Sequence, residues 1–409
     1  MSKKATKYEL LAPVGNFINL RAAINSGCDA IYFGIEGFNM RALAKNFKIS
    51  DLNQIKKICD NESPLKKRIK MYLTLNIIIY DKELKKLESL IKKVKPYVDA
   101  IICWDIAVIQ LCKKYKIPFH ISTQASTANT ETAKFYKDLG AERIVLAREL
   151  DLSQVKSIKK NVDIELEAFC HGAMCLSISG RCLMSQFHYG KSANRGECLQ
   201  LCRRPYTIKD NQGIEMKVTN NQVLSAKDLC TLPFIENLKK AGITSFKVEG
   251  RNRDPRYVST IVKIYRKALD KKLTEKEIKE SISELEKVYN KGLSSGFYKG
   301  LPTSDDFSKV QHSAATEKKQ YVGKIKNYLT KLKVFIIKPT NEFSINDKIL
   351  IIGNKTGVHE STIEKMEIKS NEASSAKRNE EVAIKLSTLP KDSRLRKNDE
   401  VYILIENKK

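Results

Sequence analysis

Long apolar runs are missing from this 409-residue sequence. A membrane-spanning helix needs about 20 predominantly apolar residues, and the most apolar stretch, VDAIICWDIAVIQL, is interrupted by Asp105. The first residues, MSKKATKYELLAP, carry positive charge but no apolar signal region, so they do not indicate secretion. We therefore expect a cytoplasmic protein with no membrane partner.

Several common catalytic motifs are also missing. The sequence contains no His-Glu-x-x-His pair, no glycine-rich phosphate loop followed by Lys and Ser or Thr, and no dinucleotide-binding fingerprint. The segment GLSSG at 292–296 matches the Gly-x-Ser-x-Gly pattern of serine hydrolases. That motif requires a strand before it and a helix after it, whereas a charged helical stretch precedes GLSSG and a loop follows. A peptidase interpretation therefore lacks a nucleophile.

Acidic residues are few relative to basic ones. The sequence has 74 Lys and Arg against 47 Asp and Glu, a formal net charge of +27, and the excess is spread along the chain. Such a surface attracts the phosphate backbone of a nucleic acid whatever its base sequence. Lysine-rich helix faces such as KELKKLESLIKKVK are also commonly just solvated, so charge alone leaves both interpretations open. We take a polyanionic partner as a hypothesis.

Cysteines are concentrated in one segment, since residues 165–206 hold five of the ten. Four of these five are separated by six, fifteen and three residues, with glycines between them that permit tight folding. Because cytosolic thiols are kept reduced, a disulfide framework is disfavoured and converging thiolates would bind metal. The four candidate ligands are Cys175, Cys182, Cys198 and Cys202.

The cysteine spacing leaves an iron–sulfur cluster and a zinc site open. Structural zinc usually takes its ligands as two close pairs, and here Cys198 and Cys202 are the pair that fits. The spacing of the four cysteines therefore favours an iron–sulfur cluster over a zinc site. His171 and His188 could complete a mixed zinc set, although a lone histidine near a strand end is more commonly a hydrogen-bonded structural residue. Other cysteines lie among apolar residues and are interpreted as small core residues: Cys28, Cys59, Cys103 and Cys112.

From Glu9 to about Lys271, short β-branched apolar runs alternate with amphipathic helical stretches, as in βα units around a parallel sheet. Eight such units predict a (β/α)₈ barrel of the TIM type, in which the chemistry lies on the loops after the strands' C-terminal ends. The candidate strands are residues 9–12, 30–34, 70–76, 100–103, 119–122, 143–147, 164–169 and 245–250.

The seventh and eighth strands are separated by an insertion at about 170–244, which contains the cysteines. Such loops usually need only a few residues, so we interpret the length as functional. After about Gln320 the sequence consists of short alternating strands with Asn, Asp and Gly turns, which predicts a small β-barrel or sandwich. We therefore predict a barrel domain at 1–300, a linker at 301–319 and a C-terminal β domain at 320–409.

Polar side chains fall in or just beyond the predicted strand ends. Lys247 and Glu249 alternate along the eighth strand and so point the same way. Because ionisable residues inside a parallel strand are costly unless used or paired, we interpret both as site residues rather than as a structural ion pair. With Arg148 and Gln124 they are the predicted catalytic residues. The other polar residues at this face are Asn76, Glu149, Glu167 and Arg251.

Several segments, taken together, resemble U-type peptidase family 32, the collagenase-like proteases. The cysteine segment contributes FCHGAMCLSISGRCLMS and NRGECLQLCRRPY, and the following residues contribute SAKDL and FKVEGRNRDPRYVSTIVKIYRKALD. Earlier segments that agree in order and spacing are ELLAPVGNFINLRAAINSGCDAIYFG and HISTQASTANTETAKFYKDLGAERIVLARELDL. The resemblance therefore covers nearly the whole chain.

This resemblance implies a 4Fe-4S cluster and oxygen-independent hydroxylation of a tRNA wobble uridine, a ribosomal RNA cytidine or a ubiquinone precursor. The GECLQLC spacing and the C-terminal β domain are more similar to the tRNA branch, whose members take oxygen from prephenate. Some ubiquinone-pathway relatives draw the fourth ligand from a position well downstream of the third cysteine, so the resemblance makes Cys230 an alternative to Cys202. We therefore expect 5-hydroxylation of the wobble uridine, with tRNA as partner.

Three other functions stay open at this point. The family name implies a collagenase-like peptidase, and a ribosomal RNA substrate would be attracted by the same positive charge. An RNA-binding assembly factor with a structural cluster is the non-enzymatic alternative. Oligomers, either of this chain or with a related protein, are compatible with all of these functions.

Overall fold

Eight parallel strands close into a barrel within the residues that the structure, a computed structural model, describes: 8–43, 45–64, 67–216, 222, 224–389 and 395–407. The strands up to residue 294 are β1 (Glu9–Pro13), β2 (Ala30–Phe33), β3 (Lys70–Leu75), β4 (Ala100–Cys103), β5 (Phe119–Ile121), β6 (Arg143–Val145), β7 (Glu165–Gly172), β8 (Ile208–Lys209), β9 (Glu215–Met216), β10 (Asp228–Cys230), β11 (Ser245–Val248) and β12 (Leu293–Ser294). Strands β1 to β7 pair in chain order, and β11 pairs with both β7 and β1, which closes the sheet. The predicted (β/α)₈ barrel is confirmed.

The barrel strands are short runs of apolar residues that are buried on both faces. β2 reads AIYF and β4 reads AIIC, and every residue of both is buried. One face of each strand fills the barrel interior and the other lies under the outer helices, so the runs are continuously apolar instead of alternating. This local pattern explains why the predicted starts of the barrel strands agree with the observed starts to within one residue.

Amphipathic helices cover the outside of the barrel. Asn16 caps the first of them by accepting a hydrogen bond from the Asn19 N–H at 2.9 Å. In the part of the chain that the structure describes, no helix is long and apolar enough to cross a membrane. The helices are α1 (Phe17–Asn25), α2 (Leu52–Asn61), α3 (Leu84–Val94), α4 (Ile106–Tyr115), α5 (Thr130–Asp138), α6 (Leu152–Asn161), α7 (Met184–Tyr189), α8 (Ile235–Ala241), α9 (Pro255–Asp270) and α10 (Glu275–Glu286).

The insertion between β7 and β11 is attached to the barrel by strand pairing. β7 continues as far as Gly172, where β10 pairs with it in the antiparallel sense. β12 then pairs in parallel with β10. Ala226 forms a β-bridge with Phe307, so part of the segment predicted as a linker lies against the insertion. The insertion is thus fixed to the C-terminal end of the barrel.

A second, antiparallel barrel follows. Its strands are β13 (Glu317–Leu329), β14 (Val334–Ile337), β15 (Phe343–Ser344), β16 (Lys348–Gly353), β17 (Gly357–Ile368), β18 (Asn371–Glu372), β19 (Ser375–Ala376), β20 (Val382–Leu386) and β21 (Glu400–Glu406). The order β16, β21, β13, β14, β20, β17 closes because β17 also pairs with β16. Val322, Phe335 and Ile351 belong to its buried core. The predicted C-terminal β domain is therefore present, and it is a barrel rather than a sandwich.

Two arginines connect the two barrels. Arg256, in the first turn of α9, lies 2.8 Å from Glu360 in β17 and 2.5 Å from Glu317 in β13. The Arg256 and Glu317 side chains are almost wholly buried in this contact. Arg21 of α1 adds a hydrogen bond of 2.6 Å to the backbone carbonyl of Asn354. The β barrel is thus held against helices α1 and α9.

We expect Arg256→Met to lower the free energy of unfolding of the β barrel by about 1–3 kcal/mol, because Glu317 keeps its buried position but loses its closest cation. Urea unfolding followed by circular dichroism should then show an earlier transition. Lys271→Ala is the control, since the Lys271 side chain in its 2.7 Å pair with Glu277 is 55% exposed, and it should change stability by less than about 0.5 kcal/mol. Equal effects of the two variants would contradict the inference.

Candidate functional site

A cavity of about 170 Å³ lies between the C-terminal ends of the barrel strands and the cysteine segment. We call it the site cavity. Barrel residues form one wall and the segment from Ala173 to Arg203 forms the other. The structure brings together in its lining every predicted catalytic residue and all four candidate cysteine ligands: Gln124, Arg148, Lys247, Glu249, Cys175, Cys182, Cys198 and Cys202.

Loops that follow the barrel strands hold the cysteine segment in place. Glu149, after β6, accepts a hydrogen bond of 2.5 Å from the Ser179 N–H. Arg195 forms an ion pair of 2.6 Å with Glu83, in the loop after β3. Gly196 has a φ of +93°, and a side chain there would place its Cβ 2.3 Å from the carbonyl oxygen of Asn39. Glycine is therefore required at this contact for both conformation and space.

The four cysteine thiols face the same cavity at different depths. Cys175 is exposed, and the other three are half-buried. Burial raises the pKa of the Cys202 thiol to about 11, Arg203 opposes the shift, and the other three cysteines add to it. The backbone N–H of Met184 donates a hydrogen bond of 3.4 Å to the Cys182 sulfur. A bound cation would relieve the mutual repulsion of four thiolates at this place.

Four thiols around one cavity are the type of donor that an iron–sulfur cluster takes. In the described part of the chain, no group of three or more His, Cys, Asp or Glu side chains is arranged to hold one metal ion. A single tetrahedral zinc draws its sulfurs to about 2.3 Å from one centre, whereas an iron–sulfur cluster spreads its ligands around several irons. Soft thiolates from Cys175, Cys182, Cys198 and Cys202 are the donors that such a cluster takes.

The alternative ligand Cys230 lies elsewhere. It is in β10, is 5% exposed and is absent from the residues that line the site cavity. Its neighbour Tyr265 donates a hydrogen bond to the Cys170 carbonyl at 2.8 Å and lies 3.8 Å from the Cys230 sulfur. His171 is buried beside the same tyrosine, and burial lowers its pKa to about 3. Cys230 and His171 thus belong to a buried layer outside the cavity lining.

Glu249 is surrounded by arginines. Its carboxylate lies 3.0 Å from Arg41 and 4.0 Å from Arg148, and the Tyr32 hydroxyl donates to it at 3.3 Å. Burial by itself raises the pKa of Glu249, but Arg41, Arg148 and Arg251 outweigh burial and the pKa falls to about 2. The carboxylate is therefore ionised at neutral pH, and it balances only one of the three guanidinium charges.

Lys247 lines the cavity and also belongs to a buried ion network. Its ammonium group lies 2.9 Å from Glu167 and 4.6 Å from the ring centre of Tyr32. Glu167 is fully buried and also contacts Arg143 at 3.1 Å. Burial raises the pKa of Glu167, and Lys247 and Arg143 more than reverse that shift. Lys247 thus has a structural partner as well as access to the cavity.

Arg148 and Gln124 are each fixed by neighbouring groups. Arg148 donates to the carbonyl of Ala173 at 2.7 Å, and its guanidinium lies 3.6 Å from the ring centre of Phe169. The Gln124 amide oxygen accepts hydrogen bonds from Ser122 and, at 3.3 Å, from Asn76. Arg148 therefore supports the start of the cysteine segment while presenting charge to the cavity.

Comparison with known proteins gives the family. The model of peptidase family U32 matches residues 15–307, more than half of the chain. The chain belongs to peptidase family U32. The resemblance inferred from the sequence is thereby confirmed.

Curated relatives of this U32 protein have different named functions. A collagenase of Porphyromonas gingivalis is 36% identical over 97% of this chain and 97% of its own length. The tRNA hydroxylation protein P1 of Bacillus subtilis is 32% identical over 88% of this chain and 86% of its length. The 23S rRNA 5-hydroxycytidine C2501 synthase of Escherichia coli is 39% identical over 66% of this chain and 40% of its length.

Arg41 is a site residue of this U32 chain that the sequence analysis did not predict. It lies in the loop between β2 and α2, 208 residues before its partner Glu249. Neither strand nor helix periodicity marks that loop. The sequence offered one signal: Arg41 lies beyond the end of a predicted barrel strand, and the loops after these strands lie together at one face of the barrel.

Proposed function

We propose that this U32 protein is an iron–sulfur enzyme that hydroxylates an RNA base without molecular oxygen, with carbon 5 of the tRNA wobble uridine as the target. The observation that carries the proposal is the site cavity, where four cysteines face a charged barrel wall. Relatives named as a tRNA hydroxylation protein and a 5-hydroxycytidine synthase support an RNA base as substrate.

The cluster would be a 4Fe-4S group held by Cys175, Cys182, Cys198 and Cys202. Once bound, it would supply electron transfer or activation of the oxygen donor. Cys202 is preferred to Cys230 as the fourth ligand because Cys202 lines the cavity and Cys230 does not. The half-buried position of three of these cysteines favours a cluster screened from solvent.

The barrel wall would bind an anionic oxygen donor. Arg41, Arg148 and Arg251 outnumber Glu249, so this end of the cavity has excess positive charge. Arginine pairs well with carboxylates because its planar fork donates two parallel hydrogen bonds. Prephenate, a dicarboxylate, fits this charge. Lys247 and Gln124 would position the base beside it.

RNA recognition would combine charge with an accessible base. The net charge of +27 favours contact with phosphates. A base must leave its stack for its carbon 5 to enter the cavity, and this costs least in an anticodon loop, which is already largely single-stranded. The same argument admits a ribosomal RNA loop, so ribosomal cytidine hydroxylation is the second candidate, favoured by the Escherichia coli relative.

A collagenase-like peptidase is the candidate from another enzyme class, favoured by the Porphyromonas gingivalis relative. It predicts peptide cleavage that survives loss of the cluster. A non-enzymatic RNA-binding assembly factor predicts normal RNA binding after Lys247 or Glu249 is replaced, and no altered nucleoside. These outcomes distinguish the alternatives from the hydroxylase.

The test is mass spectrometry of nucleosides from a strain that lacks the gene and is grown without oxygen. We expect 5-hydroxyuridine and its derivatives to disappear from tRNA and to return when the gene is restored. Persistence at normal levels, in a strain without a second copy of the enzyme, would overturn the tRNA assignment. Loss of hydroxycytidine from ribosomal RNA would move the assignment to the second candidate.

A further inference from the structure

Large apolar side chains are exposed on the cysteine segment. Phe187, in α7, is 83% exposed, although burial of such a ring would contribute substantially to stability. Leu183 lies one helical turn before it, so the two side chains are neighbours on the surface. Exposed apolar groups that gather in one place mark interaction sites more often than scattered ones do. We call the exposed large apolar residues of this segment the patch: Leu176, Ile178, Leu183, Phe187 and Tyr189.

The patch is surrounded by positive charge. Residues 173–206 contain five Lys and Arg against one acidic residue, Glu197. Arg181, Lys191 and Arg204 are exposed, and the Arg204 guanidinium lies 5.8 Å from the ring centre of Tyr189. An apolar surface that packs against another protein does not require surrounding positive charge. Aromatic rings interleaved with basic side chains are typical of surfaces that bind single-stranded nucleic acid.

The patch also adjoins the site cavity. Cys182, Met184 and Ser185 line the cavity, and α7 runs from Met184 to Tyr189. One side of this short helix therefore faces the cavity while Phe187 faces solvent. An RNA strand that delivers one base to the cavity brings its neighbouring nucleotides to the edge of the cavity, and α7 forms part of that edge.

We propose that this patch is a stacking platform for the unpaired nucleotides that flank the target base. Phe187 and Tyr189 stack on bases, and Arg181 and Arg204 contact the adjacent phosphates. Stacking of this kind tolerates any base, since every base has an aromatic face. The inference rests on the proposed function in taking RNA as the substrate, and it adds which surface holds the single strand.

The test measures binding of a fluorescein-labelled stem–loop RNA with a uridine-containing loop, and of a fully paired duplex of the same strand length. Phe187→Ala should weaken stem–loop binding about five- to a hundred-fold and leave duplex binding unchanged. Phe187→Trp should restore it. Arg204→Ala should instead reduce the dependence of binding on salt concentration, because a phosphate contact is lost.

Phe135→Ala is the matched control. Phe135 is 59% exposed and lies near the end of α5, which runs from the C-terminal ends of the strands back towards the opposite face of the barrel. Wild-type protein that binds neither RNA would overturn the proposed function itself. Normal stem–loop binding by Phe187→Ala would overturn the platform alone. Dimers in light scattering that dissociate on Phe187→Ala would assign the patch to a second copy of the chain and overturn the platform as well.

Discussion

Replacing Cys202 by alanine should remove the proposed iron–sulfur cluster and abolish the proposed RNA hydroxylation. Cys202 lines the site cavity, and the other three candidate ligands raise the pKa of its thiol. A cluster with only three protein thiolates loses one iron bond and gains a solvent-accessible corner. Protein purified without oxygen should therefore fall from about four irons per chain to well below that value. Iron assay, visible absorption and electron paramagnetic resonance measure the loss.

Cys230→Ala is the matched control for this prediction. Its thiol is more deeply buried than that of Cys202 and lies in β10, outside the cavity lining. The variant should keep its colour and iron and lose only a little stability through the small cavity that truncation leaves. A colourless Cys230→Ala protein beside a brown Cys202→Ala protein would assign the fourth ligand to Cys230. Stoichiometric zinc in the wild-type protein would end the cluster hypothesis.

Lys247→Met should lower kcat for base hydroxylation by about a hundred-fold while the protein stays folded, since misplacing a substrate by about 1 Å costs roughly that much. Folding should survive because Glu167 keeps Arg143 as a partner at 3.1 Å. The cavity, by contrast, loses the ammonium group of Lys247 from its lining. Rates are measured on stem–loop RNA by nucleoside mass spectrometry, alongside the urea midpoint.

Arg143→Met provides the comparison, because Arg143 contacts the same Glu167 but does not line the cavity. Arg143 also pairs with Glu9 at 2.5 Å and Glu165 at 2.7 Å. Its loss should cost about 3–5 kcal/mol of stability, and the remaining folded protein should be active. If both variants lose activity only in proportion to the unfolded fraction, Lys247 is structural and the ion-pair interpretation is correct.

The barrel was predictable from the sequence because its signals are local. Runs such as AIYF and AIIC are apolar over the length of one strand, and Asn16 occupies the position where a helix cap is needed. Each signal depends on residues a few positions apart. The prediction of metal chemistry is also based on a local signal, because it depends on the crowding of four cysteines in one short segment.

Which side chains meet was decided by the tertiary structure. Strand alternation placed Lys247 and Glu249 on one side of a strand, but it did not reveal that Lys247 pairs with Glu167 or that Glu249 pairs with Arg41. Likewise, spacing left both Cys202 and Cys230 as candidates, and pairing of β10 with β7 sets Cys230 apart from the cavity. These contacts arise only when the barrel closes, because closure brings together loops that are distant along the chain, and no local pattern records that approach.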